Sequence, residues 1–147
     1  MMFRRNWITM FTLLAIASLA ACQAMPGKRA NPLKKGETGV YFVQPIDGAV
    51  FDKHQVKVIM AVQGKEVRPA GDIIPGTGHH HLIINSDAVE RGETMARTRQ
   101  TIHYGNGETE AVITLPTGKH TLTLQFANGL HVSYGEAWRQ TINITVK

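Results

Sequence analysis

Seven histidines stand among the 147 residues: His54, His79, His80, His81, His103, His120 and His131. Three of them are consecutive, in Gly-Thr-Gly-His-His-His-Leu, and six follow residue 78. Imidazole is the commonest metal-binding side chain and suits zinc, copper, nickel and iron. The pattern predicts a mononuclear site built from His79, His81, His103 and His131. His80 and His120 would stand behind it, and Glu108 or Glu110 would be the carboxylates bonded to the ligand rings. Copper or zinc is the ion such a set takes, and Met60 or Met95 could add soft sulfur for copper(I). Binding would weaken below about pH 6, because ligand imidazoles must be neutral. The spacing itself is not a zinc signature: there is no His-x₃-His on a helix and no cysteine pair. The alternative reading makes His80 and His120 hydrogen-bonded core residues and leaves the other rings exposed.

The elements that must position these rings read as strands. Side chains alternate faces along a strand, so His79 and His81 share one face and His80 takes the other. His80 has the parity of Leu82 and Ile84, and His120 that of Leu122, Leu124 and Phe126, which places both on the core side. Val40–Val43 is a short apolar run stopped by Pro45-Ile46-Asp47-Gly48, a turn former. Val56, Val58, Met60 and Val62 alternate with polar neighbours. Asn85 to Arg97 is polar and reads as a long loop or a single helical turn. Thr98–Tyr104 and Thr109–Leu115 flank Gly105-Asn106-Gly107, which predicts a hairpin. Asn128-Gly129 is another turn, and Ile142, Ile144 and Val146 form the inner face of a last strand. About seven short strands without an amphipathic helix predict an all-β fold, an immunoglobulin-like β-sandwich, with a small barrel as the alternative.

The motifs of catalysis are missing. Ser86 and Ser133 lie outside any Gly-x-Ser-x-Gly elbow, and no His-Glu-x-x-His occurs. Glu108 and Glu110 share a face two residues apart, the usual look of a solvated strand edge. The expectation is that the chain is not an enzyme. Tyr134 and Trp138 either form a binding patch or cover the end of the core.

The chain begins like an export signal. Arg4 and Arg5 precede an apolar stretch from Ile8 to Leu19, too short to span a bilayer comfortably. Leu19-Ala20-Ala21-Cys22 resembles the lipobox at which bacterial lipoproteins are cleaved and acylated, and Cys22 is the only cysteine. The expected organisation is a signal peptide over 1–21, a lipid-anchored tether over 22–39, and a β-sandwich over 40–147. The net charge of +5 includes the two signal arginines. Lys28, Arg29, Lys34 and Lys35 would follow the anchor, where cations meet anionic headgroups or simply solvate the linker. Nothing resembles a nucleic-acid-binding motif. Gln23 is not the aspartate that retains many lipoproteins at the inner membrane, so the expected location is the outer membrane, facing the periplasm.

Val40-Tyr41-Phe42-Val43, Gly76-Thr77-Gly78-His79-His80-His81-Leu82, His103-Tyr104-Gly105 and Leu115-Pro116-Thr117-Gly118-Lys119-His120-Thr121-Leu122 together resemble the bacterial domain of unknown function family numbered 4399, over about residues 40–147. The resemblance implies a secreted or envelope location and supplies no mechanism. Two functions remain open: a histidine site for copper or zinc, or a structural module of the envelope that binds a protein or glycan partner.

Overall fold

The structure is a computed structural model that describes residues 33, 34 and 36–147. The expected signal peptide and Cys22 lie outside the described residues. Among the described residues, the alternating β-branched and aliphatic positions form nine strands, two of them only two residues long. Strands β1 (Gly39–Gln44), β3 (Gln55–Gln63) and β7 (Glu110–Thr114) make one antiparallel sheet in the order β1-β3-β7. The second sheet runs β2 (Val50–Phe51), β9 (Arg139–Val146), β8 (Gly118–Ala127), β5 (Thr77–Ile84) and β4 (Glu66–Val67). Strand β6 (Thr101–His103) pairs antiparallel with β5.

The inward positions of both sheets share one core. Val40, Phe42, Val56, Val58 and Met60 come from the first sheet; Leu82, Leu122, Leu124, Phe126, Ile142, Ile144 and Val146 come from the second. All are buried, as the two-residue period requires. The fold is therefore all-β, with two sheets packed around one apolar interior.

The expected hairpin around Gly105-Asn106-Gly107 does not form. Strand β6 joins β5 in the second sheet, whereas β7 joins β3 in the first. The segment between them crosses from one sheet to the other. Tyr104, buried at the crossing, inserts into the core instead of continuing a ladder. The Asn106 side chain and backbone N–H both donate to the Glu108 carboxylate, which closes the turn locally.

The end of the expected tether is tied to the domain. The Gln63 side-chain amide donates to the Lys34 and Glu37 carbonyls just before β1 begins.

The outer face of the second sheet is covered. Gln125, fully buried, donates to the Val89 carbonyl and the Ser133 hydroxyl and accepts from the Val89 N–H. Ile83, Met95 and Ala127 form a small second apolar cluster with Val89. A bridge from Thr94 to Val132 links the long β5–β6 loop to the loop after β8. Residues Asn85 to Arg97 thus form an irregular covering loop, with no helical turn.

Candidate metal centre

Beneath those loops four imidazoles meet. His79 and His81 stand two residues apart on the outer face of β5 and are 0% and 1% exposed, which removes both from solvent. His103 lies directly opposite His81 across the β5–β6 ladder, so its side chain emerges on the same face. His131 arrives from above, on the loop after β8. Its backbone holds φ at 66°, a left-handed conformation that most L residues avoid. The turn below it is built by Asn128, whose side-chain carbonyl accepts from the Leu130 and Val132 N–H groups. The His131 carbonyl accepts from Met95, which ties this turn to the covering loop.

The Nε2 atoms converge. His81 to His79 is 3.0 Å, His79 to His103 is 3.2 Å, and His103 to His131 is 3.0 Å. His79, His81 and His103 each offer a ring nitrogen within 4.8 Å of the others. His131 joins this trio through His103. A ring nitrogen has one in-plane position, filled either by a proton or by a lone pair. The Nε2 atoms of His79 and His103 each face two others, so no choice of tautomers makes all three contacts full hydrogen bonds. A cation among the four lone pairs satisfies every one. Metal–nitrogen bonds of about 2.0–2.1 Å at tetrahedral angles set neighbouring nitrogens roughly 3.3 Å apart, close to the spacing seen.

Electrostatics keep the rings ready. Burial, then the neighbouring His103 and His131 rings, lower the His79 pKa to about 4. Burial, then His79, His103 and His131, lower that of His81 to about 2. His103 is lowered by burial, then by His131 and Arg97. His79, His81 and His103 are therefore neutral at neutral pH, the form a metal requires. Glu108 opposes the shifts of His79 and His103 through its charge.

The other expected participants lie elsewhere or act differently. His80 is fully buried on the core face, edge-on to Phe126, with neither ring nitrogen bonded to the protein. His120 is core-side, as its parity predicts, but has no part in the cluster: its Nε2–H donates to the Pro116 carbonyl and its Nδ1 accepts from Asn85. His54 donates from Nδ1 to the Leu115 carbonyl. The Glu108 carboxylate is bonded to Asn106, so it supplies charge to the centre and not a hydrogen bond to a ring. Glu110 pairs with Lys57 in the opposite sheet, because β7 belongs there. Met60 belongs to the main core and Met95 to the small outer cluster. Tyr134 and Trp138 pack against Phe126, with the Lys65 ammonium over both rings, and so cap the core.

Two supports escaped the sequence reading. A Cβ on Gly105 would lie 2.0 Å from the His103 ring, so glycine is required for that ring to lie across the chain. Gly129 is pressed against the Asp72 carbonyl, 2.0 Å from where its Cβ would be, and this seats the turn that carries His131. The dipeptides Tyr104-Gly105 and Asn128-Gly129 were the available signals, legible as turns but not as ring supports.

An all-β domain carrying a cluster of four histidines, two buried and two half-buried, is the class that fold and geometry define. The chain belongs to the family described as a domain of unknown function (DUF4399), whose profile matches residues 58–147, more than half of the sequence. No curated protein and no solved structure matches it.

Proposed function

We propose that the protein is an envelope lipoprotein whose β domain binds a transition metal, copper or zinc, through His79, His81, His103 and His131. The observation that carries this reading is the chain of three Nε2–Nε2 contacts, 3.0–3.2 Å long, that links four rings and of which tautomers can make only two full hydrogen bonds at once. The depressed pKa values of His79, His81 and His103 support it, since protons compete weakly for those lone pairs. Holding, storing or delivering the ion is the function this reading assigns. Calorimetric titration of metal-stripped protein with zinc(II) tests it. The expected result is one ion per chain, abolished in the His79→Ala/His81→Ala double variant. Equal uptake by the double variant would sink the reading.

Anchoring through Cys22 rests on the Leu19-Ala20-Ala21-Cys22 segment and the apolar run before it. Cells fed labelled palmitate should incorporate label into the wild type and none into Cys22→Ala.

A second reading, an interaction module, draws on Ile73, Ile74 and Leu130, which are exposed despite being aliphatic. The Gly71 N–H donates to the Gly129 carbonyl, which brings their two loops together beside the histidine centre. Capture of one envelope protein by wild type but not by Ile73→Ser/Ile74→Ser, undiminished after metal stripping, would favour this role.

A further inference from the structure

The metal-binding reading leaves the ion's electronic class open, and the arrangement of the rings narrows it. Four ligands around a tetrahedral centre are mutually equidistant. Four around a square plane give four short separations and two long ones, and the two long ones share no ligand. The six ring-centroid separations here are 4.7 Å (His79–His81), 5.0 Å (His79–His103), 4.9 Å (His79–His131), 5.1 Å (His81–His103), 5.7 Å (His81–His131) and 4.6 Å (His103–His131). If the longest were one diagonal of a square, the other would be His79–His103. At 5.0 Å that pair falls inside the 4.6–5.1 Å range of the other four, not beyond it. The ring centres are nearer the tetrahedral pattern than the square one, with the nitrogens of His79, His81 and His103 within 4.8 Å of one another and His131 joined to them through His103.

The fold explains why. His79, His81 and His103 rise from one sheet face: two are at alternate positions on β5 and the third sits across the ladder. Three points on a surface make the base of a pyramid. His131 descends from a separate turn over that face and supplies the apex. Placing four rings in one plane would require moving the turn down into the level of the other three. The turn is held by the two bonds to Asn128, the Met95–His131 backbone bond and the Gly71–Gly129 bond.

We infer that this is a closed tetrahedral site for a filled-shell d¹⁰ cation, zinc(II), or copper only as copper(I), and that it disfavours the tetragonal geometry of copper(II). The inference rests on the metal-binding reading above. It follows from ligand geometry, since d¹⁰ ions carry no preference of their own whereas copper(II) in nitrogen sites seeks a square plane. Four protein ligands also leave no position for a reactive water, so the site holds an ion without activating one. An all-imidazole set without thiolate suits zinc(II) better than the softer copper(I).

Cobalt(II) is the probe. The purified metal-stripped protein is loaded with cobalt(II), whose visible bands are intense in tetrahedral and weak in six-coordinate surroundings. It is then challenged with zinc(II) and, separately, copper(II). The expected results are intense bands, stoichiometric displacement by zinc(II), and a copper(II) affinity that does not exceed that of zinc(II), against the usual Irving–Williams order. In His131→Ala the intense bands should collapse and zinc(II) affinity should fall at least about tenfold, with circular dichroism unchanged. His131→Asn, which tolerates the left-handed backbone, gives a second variant in case alanine misfolds. Weak six-coordinate bands, or copper(II) displacing zinc(II) with a tetragonal paramagnetic resonance spectrum, would overturn the tetrahedral assignment while leaving metal binding intact. Failure of every ion to bind would overturn metal binding itself and this inference with it.

Discussion

Two sets of histidines in the same sheet end in opposite chemical circumstances. His120 on β8 has both ring nitrogens committed, one to the Pro116 carbonyl and one to Asn85, so its tautomer and orientation are fixed by the chain. The rings at the other end of β5 and β6 have Nε2 atoms that face only one another, and the Nδ1 atoms of His79 and His81 find no protein partner. Burial alone does not separate the sets, since His120 and His81 are both buried. What separates them is whether the protein itself completes the ring's hydrogen bonding. A histidine completed by backbone is structural; a histidine completed by other histidines has lone pairs to offer.

The comparison breaks first if the two sets respond alike to truncation. His103→Ala should lower zinc(II) affinity by at least about 100-fold, the upper end of what loss of a mere ligand support costs, while His120→Ala should leave it within about twofold. Competition with a chromophoric chelator reads both. An equal loss in the two variants would erase the distinction.

Acid sharpens it next. The folded pKa of His79 lies near 4 and that of His81 near 2, below the 6.5 of a free ring. Between those values and 6.5 the unfolded chain binds more protons than the folded one. The metal-free protein should therefore hold its full stability above pH 6.5 and lose it as pH falls toward 4. His79 alone accounts for a loss on the order of 2 kcal/mol by pH 4.5. Urea unfolding at pH 7.5 and 4.5 measures this, and His79→Gln/His81→Gln should flatten the dependence. If the site takes a metal, the same values would move the acid limit of its binding below the pH 6 expected for ordinary imidazoles.

Gly105→Ala is a subtler break: it should displace the His103 ring and reduce zinc(II) affinity about tenfold, an effect of the size that loss of a ligand support produces, with the fold retained. The smallest expected effect falls on the structural set. His120→Ala leaves the Asn85 amide and the Pro116 carbonyl without their partner and should cost about 1–2 kcal/mol in thermal or urea unfolding.

Much of the fold was legible because the two-residue period is local. Leu122, Leu124 and Phe126 on β8, and Ile142, Ile144 and Val146 on β9, face inward as their alternation requires. Local parity also put His79 and His81 together and turned His80 away. Parity does not specify a partner strand, however. Gly105-Asn106-Gly107 has the composition of a hairpin turn, yet β6 docks on β5, and this pairing across the loop of residues 85–100 is what delivers His103 to His81. Glu110 was drawn toward the centre by the same misread hairpin and lies in the other sheet. His131 has no strand period at all. Its place depends on the Asn128 turn and on a bridge to Thr94, contacts that the local pattern does not encode.

The centre draws on three stretches that are distant along the chain, at 79–81, 103 and 131, and the chain's single cysteine lies far upstream at position 22. An ion gripped by all three would close two large loops at once, fastening the irregular 85–100 and 128–135 segments to the sheet as a covalent cross-link fastens them in cystine-rich proteins. Such a fastening is undone by a chelator instead of a reductant, and the melting temperature of the domain would then depend on the free metal concentration around it.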